Sequence, residues 1–164
     1  MQLNKIMDLQ LEFCEYCGAV VRNGNLGCQK LFEQVLERIY SDHRYAKPHR
    51  LIVDAYSMQH PEKYMRSGKS FAAHLTGMCA VWEYENSFEI NTAVQEWLNG
   101  KRTLVKPTQI PEERGDLKIS YILGAIDVKD HHKRVWNWSQ LIWNAWAEHH
   151  DLARHWIGEA SSRK

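Results

Sequence analysis

Apolar residues recur at helical spacing along most of the chain, strand signals are almost absent, and one short cysteine motif, Cys14-x-x-Cys17-Gly18, precedes the first helical pattern. These observations predict an all-α fold, a helical bundle of four to six helices with an N-terminal Cys-based zinc knuckle. The chain reads as a single helical domain over 1–164, with residues 10–28 forming the metal-knuckle arm. At 164 residues it is long enough to bury a core without a metal or disulfide merely to fold.

From Cys28 to Ser41, Leu31, Phe32, Val35, Leu36, Ile39 and Tyr40 fall on one face and predict the first helix. Pro48 suits a first turn, so a second helix is expected over 48–60, with Leu51, Ala55 and Met58 as its core stripe and Pro61 as its stop. Ser67-Gly68 opens a third helix to about Glu85, its buried stripe being Phe71, Leu75, Met78 and Trp82. A weaker helix runs from about Glu89 to Leu98, where Asn99-Gly100 suggests a left-handed cap. Residues 100–116, with two prolines and no period, read as a long surface loop. A short helix is expected within 117–126. One closing helix is expected over about 131–157, carrying five of the seven tryptophans and a stripe through Val135, Trp138, Ile142, Ala145, His149, Leu152 and Trp156.

Composition narrows the partners. Lys plus Arg is 21 against Asp plus Glu 20, a net charge of +1, so no global field holds a polyanion and nucleic-acid binding is disfavoured. The opening residues scatter charges among apolar ones, unlike a signal peptide, and no stretch approaches the roughly 20 apolar residues of a membrane span. A cytoplasmic protein is expected, with a protein or small-molecule partner. In that reducing setting a C-x-x-C turn signals metal or redox chemistry, and a redox reading would need a strand-to-helix context that the pattern does not offer.

Cys14, Cys17 and Cys28 supply three soft ligands, a set that favours Zn2+ over an iron–sulfur cluster. The fourth ligand is open between His60 and His74. Cys79 is less favoured, because helical spacing puts it beside Leu75 and Trp82 on a buried face, where a free Cys behaves as a small hydrophobe. Asp54 lies beside the core stripe of the second helix and needs a partner, for which His149 or His150 is a candidate. His49 and His60 share a stripe with Tyr56, yet eleven residues of helix separate them by about 16 Å, so they cannot hold one ion. Asp54, His49 and His150 are therefore the catalytic candidates, and Tyr56, Gln59 and His149 the ligand-pocket candidates. The tryptophans read as core packing, and the basic run His131-His132-Lys133-Arg134, at the wrong end of its helix for the dipole, as facing solvent or an acidic neighbour.

The segments Cys14-x-x-Cys17-Gly18, Cys28-x-x-x-Phe32, Tyr45-x-x-x-His49-Arg50-Leu51-x-Val53-Asp54-Ala55-Tyr56-x-x-Gln59-His60-Pro61, Ser70-x-x-x-His74-Leu75 and Trp143-x-Ala145-Trp146-x-x-His149-His150 together resemble an uncharacterised bacterial domain-of-unknown-function family. The resemblance spans nearly the whole chain. It implies that the three cysteines, His49, Asp54, Tyr56, Gln59, His60, His74 and one of His149 or His150 belong to the family pattern, and it implies no activity. Two functions are compatible with these residues. One is a zinc-binding helical protein whose metal is mainly structural and whose work is binding; the other is a hydrolase-like enzyme using an open zinc position with Asp54 and histidines.

Overall fold

The computed structural model describes residues 11–162, so the first residues of the expected domain and its last two lie outside the described residues. The architecture is mostly helical, and its knuckle is built on strands. A short antiparallel hairpin, β1 (Leu11–Phe13) and β2 (Val20–Arg22), pairs Phe13 with Val20 and Leu11 with Arg22. The expectation of a purely helical chain is corrected here. Three-residue strands leave too short an alternation to be seen in sequence, and the pairing is imposed by the turn between them.

Helix α1 (Gly24–Ser41) starts a turn earlier than its apolar stripe and packs against β2 and the short α6 (Ile119–Leu123). A 3-10 turn at His43–Tyr45 leads to α2 (His49–Gln59), the spine of the molecule, packed between α4 (Gly68–Glu83) and α7 (Val128–Ala145). Helix α4 begins with a reciprocal capping box, in which the Ser70 amide donates to Ser67 Oγ at 3.0 Å and the Ser67 amide to Ser70 Oγ at 3.0 Å. Helix α5 (Phe88–Asn99) is capped by Ser87. It ends where expected, but Gly100 is extended at φ −68, so the expected left-handed cap is absent and the last turn closes through the Gly100 amide on Trp97 O.

The C-terminal region departs most from expectation. α7 starts at Val128, capped by Asp127, whose carboxylate accepts from the Asp130 amide at 2.7 Å. Asp130 in that first turn suits the helix dipole and pairs with Arg134 at 2.8 Å, giving the last residue of the basic run an acidic partner. The expected single closing helix is broken. Trp146 leaves the helical conformation, a 3-10 turn spans Ala147–His149, and α8 (His150–Ser161) turns onto α4 and α5. Trp146 is fully buried and its indole donates to Met58 O at 3.1 Å, while Trp156 packs against Phe71 and Trp97. A straight helix could not serve both neighbours. One continuous cluster of buried apolar side chains, including Ile52, Phe71, Met78, Trp97, Trp138 and Trp146, runs through these contacts.

Candidate metal centre

The last turn of α2 organises the site. A helix leaves its final carbonyls without intrahelical donors, and here each finds one. Tyr56 O meets His60 Nδ1 at 2.7 Å, Ser57 O accepts the His60 amide at 3.0 Å, Met58 O takes the Trp146 indole, and Gln59 O takes Arg114 Nη1 at 3.4 Å. His60 itself stands outside the helix at φ −129, ψ 49, with Pro61 opening the four-residue α3 (Pro61–Tyr64) directly after it. Its Nδ1–H donates to the Tyr56 carbonyl. That bond fixes the tautomer and leaves the Nε2 lone pair facing the sulfurs.

The sulfurs come from the hairpin and α1. Between β1 and β2 the chain turns tightly, the Gly18 amide donating to Cys14 O at 2.8 Å and the Cys14 amide to Ala19 O at 2.8 Å. Gly18 takes φ +75, a conformation that other residues adopt only with strain, which is why glycine follows the second cysteine. Cys28, one turn inside α1, points to the same place. Cys17 and Cys28 Sγ are 3.8 Å apart, Cys28 Sγ and His60 Nε2 3.3 Å, and one ligand atom from each of Cys14, Cys17, Cys28 and His60 lies within 4.8 Å of all the others. All four residues are buried.

The surroundings seal and tune the cluster. Tyr56 is stacked between Phe32 and His60, with ring centroids 3.9 Å from each, and its hydroxyl donates to Cys28 Sγ at 3.6 Å. The hydrogen bond from Cys28 draws the Cys17 thiol down to about 4 against the cost of burial, while that bond, burial and the Cys17 charge push Cys28 upwards. Burial opposes a charge on His60, but hydrogen bonds to Cys14 and Cys17 outweigh it and raise His60 to about 9. Cys14 is also held below the usual thiol range, burial opposing and hydrogen bonds from His60 and the backbone prevailing. Hydrogen bonding thus favours thiolate sulfur in this buried pocket, where a divalent cation can take the place of the protons.

Arg114 was not foreseen. It comes from the segment read as a surface loop, yet it is buried and donates to Tyr16 O at 2.7 Å, Pro111 O at 2.7 Å and the Glu62 carboxylate at 3.0 Å, binding the knuckle, α3 and the loop together. No periodicity marks a lone loop arginine, and Glu62 is an ordinary helix-surface residue in sequence; only the topology brings them together.

The remaining candidates lie elsewhere. His74 is committed to Asp54, its Nδ1 2.9 Å from Oδ1, with Arg50 Nε 3.7 Å from Oδ2. This corrects the expected Asp54 partner. Because the chain breaks at Trp146, His149 Nε2 instead meets Gln109 O at 2.9 Å, and His150 stacks on Trp143 with its Nε2 2.8 Å from the Trp143 carbonyl. Burial raises the Asp54 carboxyl, with His74 and Arg50 opposing. Cys79 is fully buried, its thiol pushed up to about 12 by burial and by Glu83, and it belongs to the core. Gln59 is saturated, its amide donating to Arg114 O and Leu117 O at 2.9 Å each and accepting the Trp138 indole at 3.1 Å. His49 lies edge-on to Tyr40.

Fold and site define a class: a mostly helical protein whose N-terminal hairpin and α2 present a buried Cys3His cluster competent to hold a metal ion. The chain belongs to the family described as "Family of unknown function (DUF5946)", which matches residues 12–147. That span includes the whole cluster and Asp54 with His74, and it ends before His149 and His150. No curated protein and no solved structure matches the chain. Among the described residues no helix is long and apolar enough to cross a membrane.

Proposed function

We propose that Cys14, Cys17, Cys28 and His60 hold one Zn2+ in a closed, mainly structural site, and that this cytoplasmic protein, a single domain with the knuckle as its arm, works by binding a protein or small ligand. The observation that carries this reading is the spacing of the donors. Tetrahedral zinc with Zn–S bonds of about 2.3 Å and Zn–N bonds of about 2.0 Å sets sulfurs about 3.8 Å apart and sulfur from nitrogen about 3.5 Å. The separations of 3.8 Å and 3.3 Å fit that geometry. Bound zinc would supply the energy that fixes the arm to α2, with Tyr56 and the Tyr56 carbonyl orienting its ligands. Three free thiols in one buried site suit a reducing compartment. A hydrolase-like role for the metal would need an open coordination position, and the fourth donor, His60, argues for a full shell while Asp54 is engaged with His74.

Elemental analysis of protein purified without a histidine tag tests this, together with X-ray absorption at the zinc edge. The expected result is one zinc per chain with three sulfur and one nitrogen neighbours, and loss of that zinc in Cys14→Ser. Protein without stoichiometric metal, or a shell containing an exchangeable oxygen in place of His60, would falsify the closed-site reading.

A further inference from the structure

At the opposite end of α2 from His60, a cavity of about 650 Å³ opens between the start of α2, the end of α4 and α7. Its volume lies in the range of small-molecule sites. Leu51, Val81 and Val135 line its apolar side together with Trp136, an indole left 49% exposed although its other neighbour, Trp82, lies only 4.4 Å away between ring centroids. An exposed indole beside a cavity is a ready stacking platform.

The polar lining has one sign in excess. Lys47, Arg50 and Lys133 border the cavity against a single carboxylate, Glu85. Arg50 is already drawn to Asn91 at 3.1 Å and towards Asp54, whereas the Lys47 and Lys133 side chains have no hydrogen bond or close ion pair among the described residues, Lys133 feeling only the charge of Asp130. The eleven-residue α2 starts here without a side-chain cap; its His49 amide is taken by Ala46 O at 2.9 Å, and the positive end of its dipole reinforces these lysines. The rim residues Glu85 and Asn86 both hold left-handed backbone, φ 52 and 53, which closes the end of α4 through the Asn86 amide on Ala80 O at 2.7 Å and shapes this edge of the cavity.

We propose that this cavity binds a small organic monoanion, an apolar planar body bearing one carboxylate or an equivalent charge. The body lies against Trp136 over the Leu51, Val81 and Val135 side chains, and the charge meets Lys47, Lys133 and the start of α2. Three cations confined to one cavity, on a chain of net charge +1, select a compact anion and not a polyanion. The site shares no ligand with the Cys3His cluster and does not depend on the metal reading.

The test is calorimetric titration of the full chain, its zinc content measured in parallel, with naphthalene-2-carboxylate and with the neutral naphthalene-2-carboxamide. The carboxylate is expected to bind saturably at one site per chain, at least about tenfold more tightly than the amide, and to weaken with added salt. The double variant Lys47→Glu, Lys133→Glu, both residues being exposed, should lose that preference while still binding the amide and melting like the parent; Trp136→Ala should weaken both probes. Absence of saturable binding up to the solubility limit overturns the proposal, as do equal affinities for the two probes or a double variant that keeps the preference. Because zinc is measured in the same samples, these outcomes are separable from failure of the metal centre.

Discussion

Single side chains show how little slack this packing leaves. A Cβ placed on Gly77 would overlap Asp54 Oδ2 and come 2.9 Å from its Cγ, so α4 can approach α2 at the buried carboxylate only because residue 77 has no side chain. Gly77→Ala should destabilise the protein by about 1–3 kcal/mol, and Asp54→Ala in the same chain should recover part of the loss, a coupling that a double-mutant cycle in urea measures. His131 sets a pH dependence. It is buried on α7, edge-on to Tyr45, neither ring nitrogen has a hydrogen-bond partner among the described residues, and burial lowers it to about 4, with the Arg38 and His132 charges adding. A histidine depressed in the folded state gives stability that is fully present above its unfolded value near 6.5 and is lost as pH falls towards 4, since the unfolded chain takes up the proton first. The loss assigned to His131 amounts to about 3 kcal/mol across that window, and His131→Phe should flatten the curve there; an unchanged slope in chemical denaturation would show that other groups dominate. None of this was legible in sequence, where His131 looks like part of a basic run facing solvent or an acidic neighbour and nothing marks Gly77 as a contact point.

Among the elements, those with a long apolar stripe were legible. α2 and α4 fall within a few residues of their expected limits because three or four core positions on one face outweigh any local preference, and the weaker α5, with Val94 and Trp97 buried, ends at the Asn99-Gly100 stop. The three cysteines were equally readable, since their spacing alone demands a turn. What escaped was decided by contacts distant in sequence. Trp146 continues the apolar period of α7, yet its indole is needed at Met58 O, and that bond turns the chain and redirects α8. The choice between His60 and His74 likewise depended on Pro61 carrying the chain out of α2 and on Asp54 engaging His74. Arg114 is the clearest case of a loop residue that serves an element. Arg114→Met should cost about 1–3 kcal/mol, because it leaves the carbonyls of Tyr16 and Pro111 without their donor while the exposed Glu62 carboxylate returns to water, and Arg114→Lys should recover little, as one ammonium cannot reproduce the fork. Thermal melts of the two variants beside the parent check this.

For the molecule as a whole, the proposed metal site acts as a clamp on the hairpin, and the helices supply the bulk of the core. Cys14, Cys17, Ala19 and Val21 join the same buried cluster as the helices, but the hairpin packs chiefly on α1 while α2, α4, α5, α7 and α8 pack on one another, so on the proposed zinc reading stripping the metal with a chelator should loosen residues near 11–31 and 56–64 and leave most of the helical core folded. Hydrogen exchange followed by mass spectrometry should show fast exchange confined to those segments, with little change in far-ultraviolet ellipticity; global exchange would mean that the core depends on the metal after all. The indoles of Trp138 and Trp146 end on Gln59 and on the Met58 carbonyl, immediately before His60, both rings fully buried. Loosening of that turn must change the solvation of two chromophores at once. On the proposed metal reading the protein carries its own optical gauge of the site, expected as a red shift in emission on metal removal without any added dye.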